Sequence, residues 1–472
     1  MRHAHSVAEV RAAEQPLLDA GVPLMARAST ALAIAVARRL PFVYGARVVL
    51  LVGGGNNGAD ALWAGAWLAG RGAAVVAVLA AEPVADALQA FLTAGGTTGT
   101  AHALAGADVI VDGLVGIGGR GPLRPEAEAL AREARGFVVA VDVPSGVDAD
   151  TGEVAGVAVR ADVTVTFGTA KPGLWIARDH VGELEVVPLG LDLPAAAVEA
   201  LDPTDVAALL PIAGRGSDKY SRGVVGIAAG SQTYTGAAVL CAGAAVRAGA
   251  GMVRFAGAPH AAEQVRSRWP EVVVSPAHGA EVVDVGRVQA WVVGPGLGTD
   301  AVAEAAVEAV LAQQVPVLAD ADALTICARH PDWLSARTQP TLLTPHDREY
   351  ARFGREVGTD RFGAARYLAA ELGVHVLLKG DATVVVGPSG PARVNTTGSS
   401  LLATAGTGDV LAGVIGTLLS AGLDPLDAAS AGAWLHGRAG TLSARGATTS
   451  ASALLEAWPD AVREAREGDW SA

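Results

Sequence analysis

An alternation of short β-branched runs with helical stretches constrains the fold of this chain more than any other feature of its sequence. Helical patterning separates most of these runs, which indicates βαβ units in a parallel sheet with helices on both faces. The strand candidates are Arg47–Val52, Ala74–Leu79, Ala107–Val111, Phe137–Val141, Asp162–Phe167, Val224–Ala229, Gly251–Phe255, Ala290–Val293, Val315–Ala319, Val374–Lys379 and Thr383–Val386. The pattern fades across a stretch that ends in Pro203 and Pro211. We therefore predict an α/β protein with two successive open domains, residues 1–205 and 206–472.

The composition supports a packed core and excludes some classes of partner. Of the 472 residues, 51% are hydrophobic and 18% are charged, so disorder is not expected. The 35 basic and 48 acidic residues give a net charge of −13, which argues against a nucleic-acid or anionic-membrane partner. Two cysteines, Cys241 and Cys327, are too few for a disulfide framework, and the residues after Met1 lack the apolar core of a signal peptide. We expect a cytoplasmic protein.

One apolar run, Leu401–Leu423, reaches the length of a membrane span. It carries Asp409 near its centre, together with several glycines and three threonines. We therefore interpret it as a buried loop and helix, and no membrane partner is expected.

Lysine is rare in this chain. There are only three lysines, Lys171, Lys219 and Lys379, against 32 arginines. A coding bias that fills solvated positions with arginine would produce this ratio without any functional reason. Arginine and lysine are not interchangeable where a compact point charge must fit, however, so the three lysines are candidate functional residues.

The first strand candidate runs directly into a glycine-rich turn, Gly53–Asp60, and a helix follows. A strand, a glycine turn and a helix N-terminus form an anion site, because free backbone N–H groups point outward and the helix dipole favours negative charge. Gly53, Gly55 and Gly58 match the dinucleotide-binding pattern, and Glu82 lies near the position of a ribose-binding acid. A tight turn before a helix remains the alternative. The dinucleotide-binding interpretation does not explain the polar side chains of Asn56, Asn57 and Asp60 inside the turn.

Two further strand candidates end in carboxylates. Asp112 precedes a glycine-rich loop, Gly113–Pro122, and Asp142 begins the segment Asp142-Val143-Pro144-Ser145-Gly146. The carboxyl ends of parallel strands converge on the ligand crevice of an open sheet. Asn57, Asp112 and Ser145 would then bring together hard oxygen ligands, which suit an alkali or other hard cation. Asp142 remains as a candidate acid/base group.

The N-terminal half, residues 1–205, resembles the NAD(P)H-hydrate epimerase domain, and four segments carry the resemblance: Gly53–Asp60, Asp112–Pro122, Asp142–Asp148 and Thr169–Gly173. The resemblance implies that potassium is held by Asn57, Asp112 and Ser145. It implies that the hydrated dinucleotide is bound by Asn56, Asn57, Gly58, Ala59, Asp60, Gly116, Ile117, Gly118, Gly119, Arg120, Gly121, Pro122 and Asp142. Where the family usually has Gly-Gly-Asp-Gly, this chain has Gly58-Ala59-Asp60-Ala61, and the added methyl groups leave less room for close backbone approach.

A second glycine-rich segment, Ala403–Asp409, precedes a helix with apolar residues at helical spacing. Its glycines let backbone amides form a concave nest, which suits the charge on a transferring phosphoryl group. Asp409 stands at the helix start, where it would be a catalytic carboxylate beside this anion hole or simply an N-cap.

The C-terminal half, residues 206–472, resembles the NAD(P)H-hydrate dehydratase domain, a relative of the ribokinase-like kinases. The segments that carry the resemblance, besides Ala403–Asp409, are Ser217–Gly223, Gly230–Ala238, Val292–Gly298, Asp320–Leu324, Leu343–His346 and Leu377–Thr383. It implies substrate contacts at Ala237, Gly296, His346 and Asp409. It implies a nucleotide site at Lys379, Gly380, Asp381, Ala382, Thr383 and Gly408. Thr325 stands where relatives often have Asn, and His436 looks like a family feature without a role that the sequence reveals.

Together the two halves resemble a bifunctional bacterial enzyme that repairs hydrated NADH and NADPH. The resemblance implies epimerisation of the R and S hydrates, then dehydration of the S form driven by ADP with Mg²⁺, and a homo-oligomer. Asp142 and Asp409 are the expected catalytic residues. Two alternatives remain: the C-terminal half is a kinase for a small alcohol, or the N-terminal half is a non-catalytic dinucleotide-binding module.

Overall fold

The computed structural model describes residues 1–212 and 214–468. It divides into two compact units, His3–Val198 and the combination of Met1–Arg2 with Glu199–Ala472. The predicted boundary near residue 205 falls within a helix of the second unit, Pro203–Leu209.

The N-terminal unit is built on a sheet of seven strands. After a short first strand, β1 (Arg2–Ala4), these are β2 (Arg47–Val52), β3 (Ala74–Leu79), β4 (Thr97–Gly99), β5 (Val109–Gly113), β6 (Val138–Val141), β7 (Val163–Phe167) and β8 (Glu183–Val187). Their order across the sheet is β4-β3-β2-β5-β6-β7-β8, and every adjacent pair is parallel. The predicted open parallel sheet is confirmed.

Helices cover both faces of this sheet. They are α1 (Val7–Asp19), α2 (Leu24–Arg38), α3 (Asn56–Ala69), α4 (Ala85–Thr93), α5 (Pro125–Glu133), α6 (Pro172–Ile176) and α7 (Arg178–Val181), with a 3₁₀ turn at Ala101–Leu104. Strand β2 shows why both faces must be covered. Its alternate residues Val48, Leu50 and Val52 pack with α2, α3 and α4, whereas Val49 and Leu51 pack with α5.

The C-terminal unit is built on a sheet of eleven strands that includes β1. The others are β9 (Val198–Ala200), β10 (Val224–Ala228), β11 (Met252–Gly257), β12 (Val273–Pro276), β13 (Ala290–Val293), β14 (Val317–Ala319), β15 (Thr341–Leu343), β16 (His375–Leu378), β17 (Thr383–Val386) and β18 (Ala392–Asn395). The order is β1-β9-β18-β17-β16-β15-β14-β13-β10-β11-β12. Every adjacent pair from β12 across to β16 is parallel, whereas β16, β17 and β18 form an antiparallel meander.

The remaining helices pack around this sheet. They are α8 (Pro203–Leu209), α9 (Thr235–Arg247), α10 (Pro259–Arg268), α11 (Ala301–Leu311), α12 (Asp322–Arg329), α13 (Pro331–Ser335), α14 (Asp347–Tyr350), α15 (Arg361–Leu372), α16 (Thr407–Ser420), α17 (Pro425–Ala444) and α18 (Ala451–Glu467). Short 3₁₀ turns occupy Gly279–Val283, Ala351–Phe353 and Ser400–Leu402.

The long apolar run of the sequence is explained by helix α16. Its residues from Val410 to Leu419 are buried, and Val410, Val414 and Leu418 belong to the core shared with α9, α17 and α18. The prediction of a buried helix is confirmed, but that of a buried loop is wrong, because Ala403, Thr404 and Ala405 before the helix are exposed. Within the described residues, no single helix is long and apolar enough to cross a membrane. One pair, α1 with α2, meets the length and composition only when joined across a bend of 115°.

Candidate active sites

The first glycine-rich turn connects β2 to α3 by very close packing. A methyl group built at Gly53 would overlap the carbonyl oxygen of Leu114, and one built at Gly58 would overlap the carbonyl oxygen of Gly53. A methyl group at Gly55, by contrast, would meet no atom within 4 Å. Helix α3 begins directly after Gly55, so its first backbone N–H groups have no partner within the helix. The turn therefore presents an anion site on its open side.

A cavity of about 770 Å³ lies beside this turn in the N-terminal unit. Most of the predicted epimerase residues line it: Asn56, Asn57, Gly116, Ile117, Gly118, Gly119, Arg120, Gly121 and Pro122. Arg120 forms ion pairs with Asp148 and Asp150 at its rim. The loop from Gly116 to Pro122 and the start of α3 thus line the same cavity.

The other predicted residues of α3 do not line the cavity. Gly58, Ala59 and Asp60 are buried, as is Ala61. The Ala61 methyl group packs 2.7 Å from the position that a methyl group at Gly113 would take, so it faces β5. Ala59 and Ala61 both belong to the core between α3 and the sheet. The two departures from the family pattern therefore add core packing and do not narrow the crevice.

The three predicted potassium ligands lie at the ends of β5, α3 and β6. The carboxylate of Asp112 is completely buried and accepts hydrogen bonds from the Ser145 hydroxyl (2.7 Å), the Ser145 amide (2.8 Å) and the Leu114 amide (3.3 Å). Asn57 donates its amide N–H to the carbonyl of Val141 (2.6 Å). A methyl group built at Gly116 would overlap the Asn57 side-chain oxygen, so that oxygen faces the glycine loop.

Asp112 has a charge that the protein does not balance. Within the described residues, no basic side chain forms an ion pair with it, and burial raises its pKa to about 6. An unpaired buried carboxylate is costly unless a counter-charge is nearby. The oxygen-rich surroundings and the missing counter-charge therefore fit a bound alkali cation.

Asp142 follows β6 and forms a buried ion pair with a lysine that the motif had not linked to it. Its Oδ1 accepts hydrogen bonds from Lys171 Nζ (2.6 Å), the Thr166 hydroxyl (2.9 Å) and the Phe167 amide (3.3 Å). Lys171 is 1% exposed and also donates to Thr166 and the Phe167 carbonyl. The scarcity of lysine was the signal in the sequence, but it could not show which carboxylate Lys171 meets.

Two more carboxyl groups lie close to this ion pair. Asp60 on α3 is buried, and its Oδ1 has no hydrogen-bond partner. Burial, then the charges of Asp142 and Glu14, hold its pKa well above its usual range. Glu14 on α1 lines the cavity, and burial raises its pKa as well. Sequence reasoning missed Glu14, because it lies in an ordinary helical stretch without a motif.

In the C-terminal unit, the second glycine-rich segment leads into α16. Gly406 precedes the helix in the left-handed region (φ 88°), and Thr407, Gly408 and Asp409 form the first turn. The Thr407 hydroxyl donates to the carbonyls of Leu402 and Thr404, which fixes the loop. Asp409 is therefore not the N-cap residue, and the N-cap alternative for it is wrong.

The third lysine of the chain, Lys379, lies at the end of β16 and faces this helix start. Its Nζ contacts Asp320 (2.8 Å) and Glu349 (3.4 Å), and it would lie 3.7 Å from a methyl group built at Gly408. The Thr344 hydroxyl donates to the same oxygen of Asp320 (2.8 Å). The predicted nucleotide residues Lys379 and Gly408 are thus neighbours in space.

Asp409 forms no ion pair with any described side chain. Burial, then the charge of Asp320, raises its pKa to about 7, against the lowering effect of Lys379. The charges of Asp322 and Glu349 raise it further. A carboxyl group that titrates near neutrality can accept a proton at physiological pH, as a general base must.

The other predicted substrate residues are spread over three elements. A methyl group built at Gly296 would lie 3.0 Å from the Ala237 methyl, so the turn after β13 packs against the start of α9. His346 is exposed and caps α14, because its ring accepts hydrogen bonds from the amides of Arg348 (3.1 Å) and Glu349 (3.2 Å). Thr325 accepts a hydrogen bond from Arg352 (2.5 Å).

The remaining predicted nucleotide residues form the turn between β16 and β17. Gly380 and Asp381 are exposed, whereas Ala382 and Thr383 are buried. The Thr383 hydroxyl donates to the Gly380 carbonyl (3.0 Å) and so closes the turn. This turn is continuous with Lys379, whose carbonyl accepts a hydrogen bond from Arg361 (2.8 Å).

His436, for which the sequence revealed no role, supports the helix start from α17. It is buried, and its Nε2 donates to the carbonyl of Thr407 (2.9 Å). Burial lowers its pKa to about 4, so the ring is neutral at physiological pH. His436 therefore positions the first turn of α16 without adding charge.

Two halves with these features define a two-domain nucleotide-handling enzyme, and comparison with known proteins identifies its family. Residues 22–173 match the family described as YjeF-related protein N-terminus, and residues 225–459 match the family described as NAD(P)H-hydrate dehydratase. The chain is 50% identical over 457 residues to a bifunctional NAD(P)H-hydrate repair enzyme of Mycobacterium leprae, with 94% of each chain covered. It is 38% identical to the protein of the same name from Gloeobacter violaceus, with 92% of each covered.

Solved structures resemble the C-terminal half. A Bacillus subtilis ADP/ATP-dependent NAD(P)H-hydrate dehydratase, co-crystallised with ATP and Mg²⁺, is 30% identical with a TM-score of 0.50, covering 55% of this chain and 96% of its own. A ribokinase-like protein of Enterococcus faecalis is 25% identical with a TM-score of 0.53, covering 58% and 98%. The chain belongs to the family of bifunctional NAD(P)H-hydrate repair enzymes. The predicted family, the two-domain α/β fold and the pairing of epimerase and dehydratase are confirmed.

Proposed function

We propose that the N-terminal unit interconverts the R and S hydrates of NADH and NADPH, and that the C-terminal unit dehydrates the S form with ADP. The observation that carries the proposal is Asp409, a carboxyl group with a pKa near 7 in the first turn of α16. Lys379, just after β16, points its Nζ towards Gly408, the residue before Asp409. A base and an anion hole are then adjacent, as phosphoryl transfer to a hydroxyl requires.

Dehydration needs activation of the hydroxyl, because hydroxide is a poor leaving group at neutral pH. In the proposed reaction Asp409 accepts the hydroxyl proton while the oxygen forms a bond to the terminal phosphorus of ADP, whose bond to the leaving group AMP breaks. The first-turn amides after Gly406 hold the charge of that group. The lone pair of the ring nitrogen then expels phosphate as a C=N⁺ bond forms, and loss of a proton from the neighbouring ring carbon restores the C=C bond of the dihydronicotinamide. Ala237, Gly296 and His346 are the proposed substrate contacts on the surrounding elements.

ADP with Mg²⁺ is the proposed phosphoryl donor, bound at Lys379–Thr383 and Gly408. The support is the Bacillus subtilis relative, an ADP/ATP-dependent NAD(P)H-hydrate dehydratase that was co-crystallised with ATP and Mg²⁺. Within the described residues, no group of three or more His, Cys, Asp or Glu side chains could hold a metal ion. Mg²⁺ is commonly held by phosphates and one or two carboxylates, so it would arrive with the nucleotide. Parallel assays with ADP and ATP test this step, and a clear preference for ATP would contradict it.

In the N-terminal unit the cavity beside α3 is the proposed hydrate site, with Asp142 as an acid/base group. Potassium would be held by Asn57, Asp112 and Ser145, where it would balance the Asp112 charge and supply positive charge for substrate phosphates. Asp112→Ala should lower epimerisation and leave dehydration of pure S hydrate unchanged. Potassium should also raise the melting temperature of the wild-type chain more than that of Asp112→Ala, because ligand binding stabilises the folded state. Equal effects on the two proteins would contradict the site.

Incubation with mixed hydrates, ADP and Mg²⁺ tests the whole proposal. Recovery of nicotinamide absorbance from both epimers, with one phosphate released for each ring restored, is the expected result. Accumulation of a stable phosphorylated product would instead indicate a small-alcohol kinase.

Cys241 and Cys327 are both buried and unpaired, which supports the proposed cytoplasmic location. We also propose a homo-oligomer, and the molar mass in solution tests this.

A further inference from the structure

The wall of the N-terminal cavity contains an acid that the predicted site does not include. Arg11 and Glu14 of α1 both line the cavity, and their spacing of three residues puts them on one face of the helix. A methyl group built at Gly118 would lie 3.1 Å from Arg11 Nη2, so this face meets the glycine loop. Ser6 caps α1 through a capping box with Glu9, and Asp150 accepts a hydrogen bond from the Val7 amide (2.8 Å). The helix is thereby fixed in place.

Glu14 shares its surroundings with the buried ion pair. Its charge interacts with Lys171 and Asp142, and with Asp60 on α3. Four elements therefore direct ionisable groups to one place: α1 with Glu14 and Arg11, α3 with Asp60, the end of β6 with Asp142, and the segment before α6 with Lys171. Of the three carboxyl groups, only Glu14 belongs to the cavity wall.

Glu14 and Asp142 differ in what compensates their charge. The ammonium of Lys171, 2.6 Å from Asp142 Oδ1, balances the negative charge of Asp142. Glu14 has no ion-pair partner within hydrogen-bonding distance among the described residues, and burial raises its pKa. Asp142, paired with an ammonium group, is therefore suited to accept a proton, and Glu14, which lines the cavity without such a partner, is suited to donate one.

We propose that Glu14 is the proton donor for loss of water from the hydrated ring, and that Asp142 accepts a proton from the water that adds back. The inference rests on the epimerase function proposed for this unit. The hydroxyl is on the ring carbon next to the ring nitrogen. Its C–O bond breaks as the nitrogen lone pair forms a C=N⁺ bond, and the oxygen leaves as water with the Glu14 proton.

The return step balances the first. Water forms a new C–O bond on the other face of the ring, the C=N⁺ electrons return to nitrogen, and the excess proton passes to Asp142. Transfer of that proton to the Glu14 carboxylate restores both groups. No oxidant or reductant is consumed, and the hydroxyl has changed faces.

Glu14→Gln tests this step because the amide keeps the size of the side chain and cannot donate a carboxyl proton. Asp19→Asn is the matched control, since Asp19 is an exposed carboxylate on the same helix. The full-length proteins are given pure R hydrate, the epimer ratio is followed by chromatography, and the uncatalysed rate is subtracted. Dehydration of pure S hydrate by the same samples reports on the rest of the chain.

Glu14→Gln should slow epimerisation by about 10²-fold or more, the usual contribution of general acid catalysis, while Glu14→Asp keeps part of the activity. Wild-type epimerisation should fall as the pH rises through the Glu14 pKa, and Glu14→Gln should lack this alkaline limb. Dehydration of S hydrate should be unchanged in every variant. Epimerisation by Glu14→Gln at the wild-type rate would overturn the role of Glu14 alone. Wild-type protein that does not accelerate epimerisation would overturn the epimerase function as well.

Discussion

Each candidate active site contains one lysine that forms ion pairs with carboxylates, but only in the N-terminal unit is the expected catalytic carboxylate one of them. In the N-terminal unit Lys171 binds Asp142, the expected catalytic residue, at 2.6 Å. In the C-terminal unit Lys379 binds Asp320 and Glu349, and the expected catalytic residue Asp409 is left without an ion pair among the described side chains. The lysine therefore compensates the reacting group in one unit and its neighbours in the other.

This difference determines which group can move a proton near neutral pH. Burial and the nearby charges of Asp320, Asp322 and Glu349 raise the pKa of Asp409 to about 7. A single carboxyl group can then act as base when a phosphoryl group is transferred. Epimerisation needs a donor and an acceptor, and the N-terminal unit supplies Glu14 beside a compensated Asp142.

Backbone strain marks both sites. Of the described residues, three non-glycine residues have positive φ, and Asp142 (φ 64°) and Ala321 (φ 50°) are two of them. Ala321 separates Asp320 from Asp322, whose Oδ2 accepts a hydrogen bond from the Gly298 amide (2.8 Å). Left-handed backbone at a non-glycine residue costs energy and persists where surrounding contacts enforce it. In both units it lies at or next to a buried strand-end carboxylate that forms an ion pair with a lysine.

The largest expected effect tests the unpaired carboxylate. Asp409→Asn should reduce dehydration of S hydrate by about 10²–10⁴-fold, because the general base is lost. Since Gly406 ends the loop before α16 and Asp409 does not cap the helix, the fold should survive. The rate of nicotinamide recovery measures the change, and epimerisation by the same sample should be normal.

Asp460→Asn is the control for this variant, because it removes an exposed carboxylate of the same unit that forms an ion pair with Arg463 on the surface. It should dehydrate S hydrate at the wild-type rate. An Asp409→Asn protein as active as this control would show that the unpaired carboxylate is not the base.

The second prediction breaks the compensated pair. Lys171→Met should destabilise the N-terminal unit by about 3–5 kcal/mol, the usual cost of leaving one buried charge of a pair uncompensated. Denaturant unfolding measures this change. The double variant Lys171→Met/Asp142→Asn should recover much of the lost stability, since it removes the orphaned charge.

Arg132→Met provides the comparison for a surface pair. Arg132 is exposed and bridges Glu128 within α5, so its loss should cost less than about 1 kcal/mol. Equal losses of stability in Lys171→Met and Arg132→Met would show that the buried pair contributes no more than a surface one.

The fold was largely predictable because most strands are buried on both faces. The ends of β2, β3, β13 and β17 agree with the predicted runs, and most of their residues are aliphatic. Strand β8 was missed, because it is an edge strand with two glutamates and exposed positions. Strands β9, β15 and β1 have three residues each, too few for a periodic signal. They are strands because they pair with other strands that are distant in the sequence.

The site was predictable only where glycines and strand-end acids form motifs. The sequence indicated Asp142, Asp409 and Lys379, because each ends a strand run or begins a helix. It could not indicate that Lys171 pairs with Asp142 or that Glu14 reaches the same cavity, since those contacts depend on how α1 and α6 pack. It also could not decide between capping and catalysis for Asp409, which depends on where α16 begins.

The third prediction concerns pH. Asp409 is a base only as a carboxylate, so kcat/KM for dehydration should rise as the pH increases through about 7. Below that pH it should fall about tenfold per unit, because the carboxylate fraction falls by that factor. The groups that face Asp409 are Asp320, Asp322, Glu349 and Lys379. Asp409→Asn should lose this limb, and a limb that persists in the variant would assign the titration to another group.

The smallest expected effect concerns the histidine behind the helix start. His436→Phe removes one hydrogen bond to the Thr407 carbonyl, which should cost about 0.5–1.5 kcal/mol of stability and raise the KM for ADP modestly. Because burial lowers the pKa of His436 to about 4, the ring is neutral throughout the range where dehydration titrates. The pH midpoint of dehydration should therefore remain near 7 in His436→Phe. A midpoint that moves or disappears would mean that the histidine, and not the unpaired carboxylate, distinguishes this site from its N-terminal counterpart.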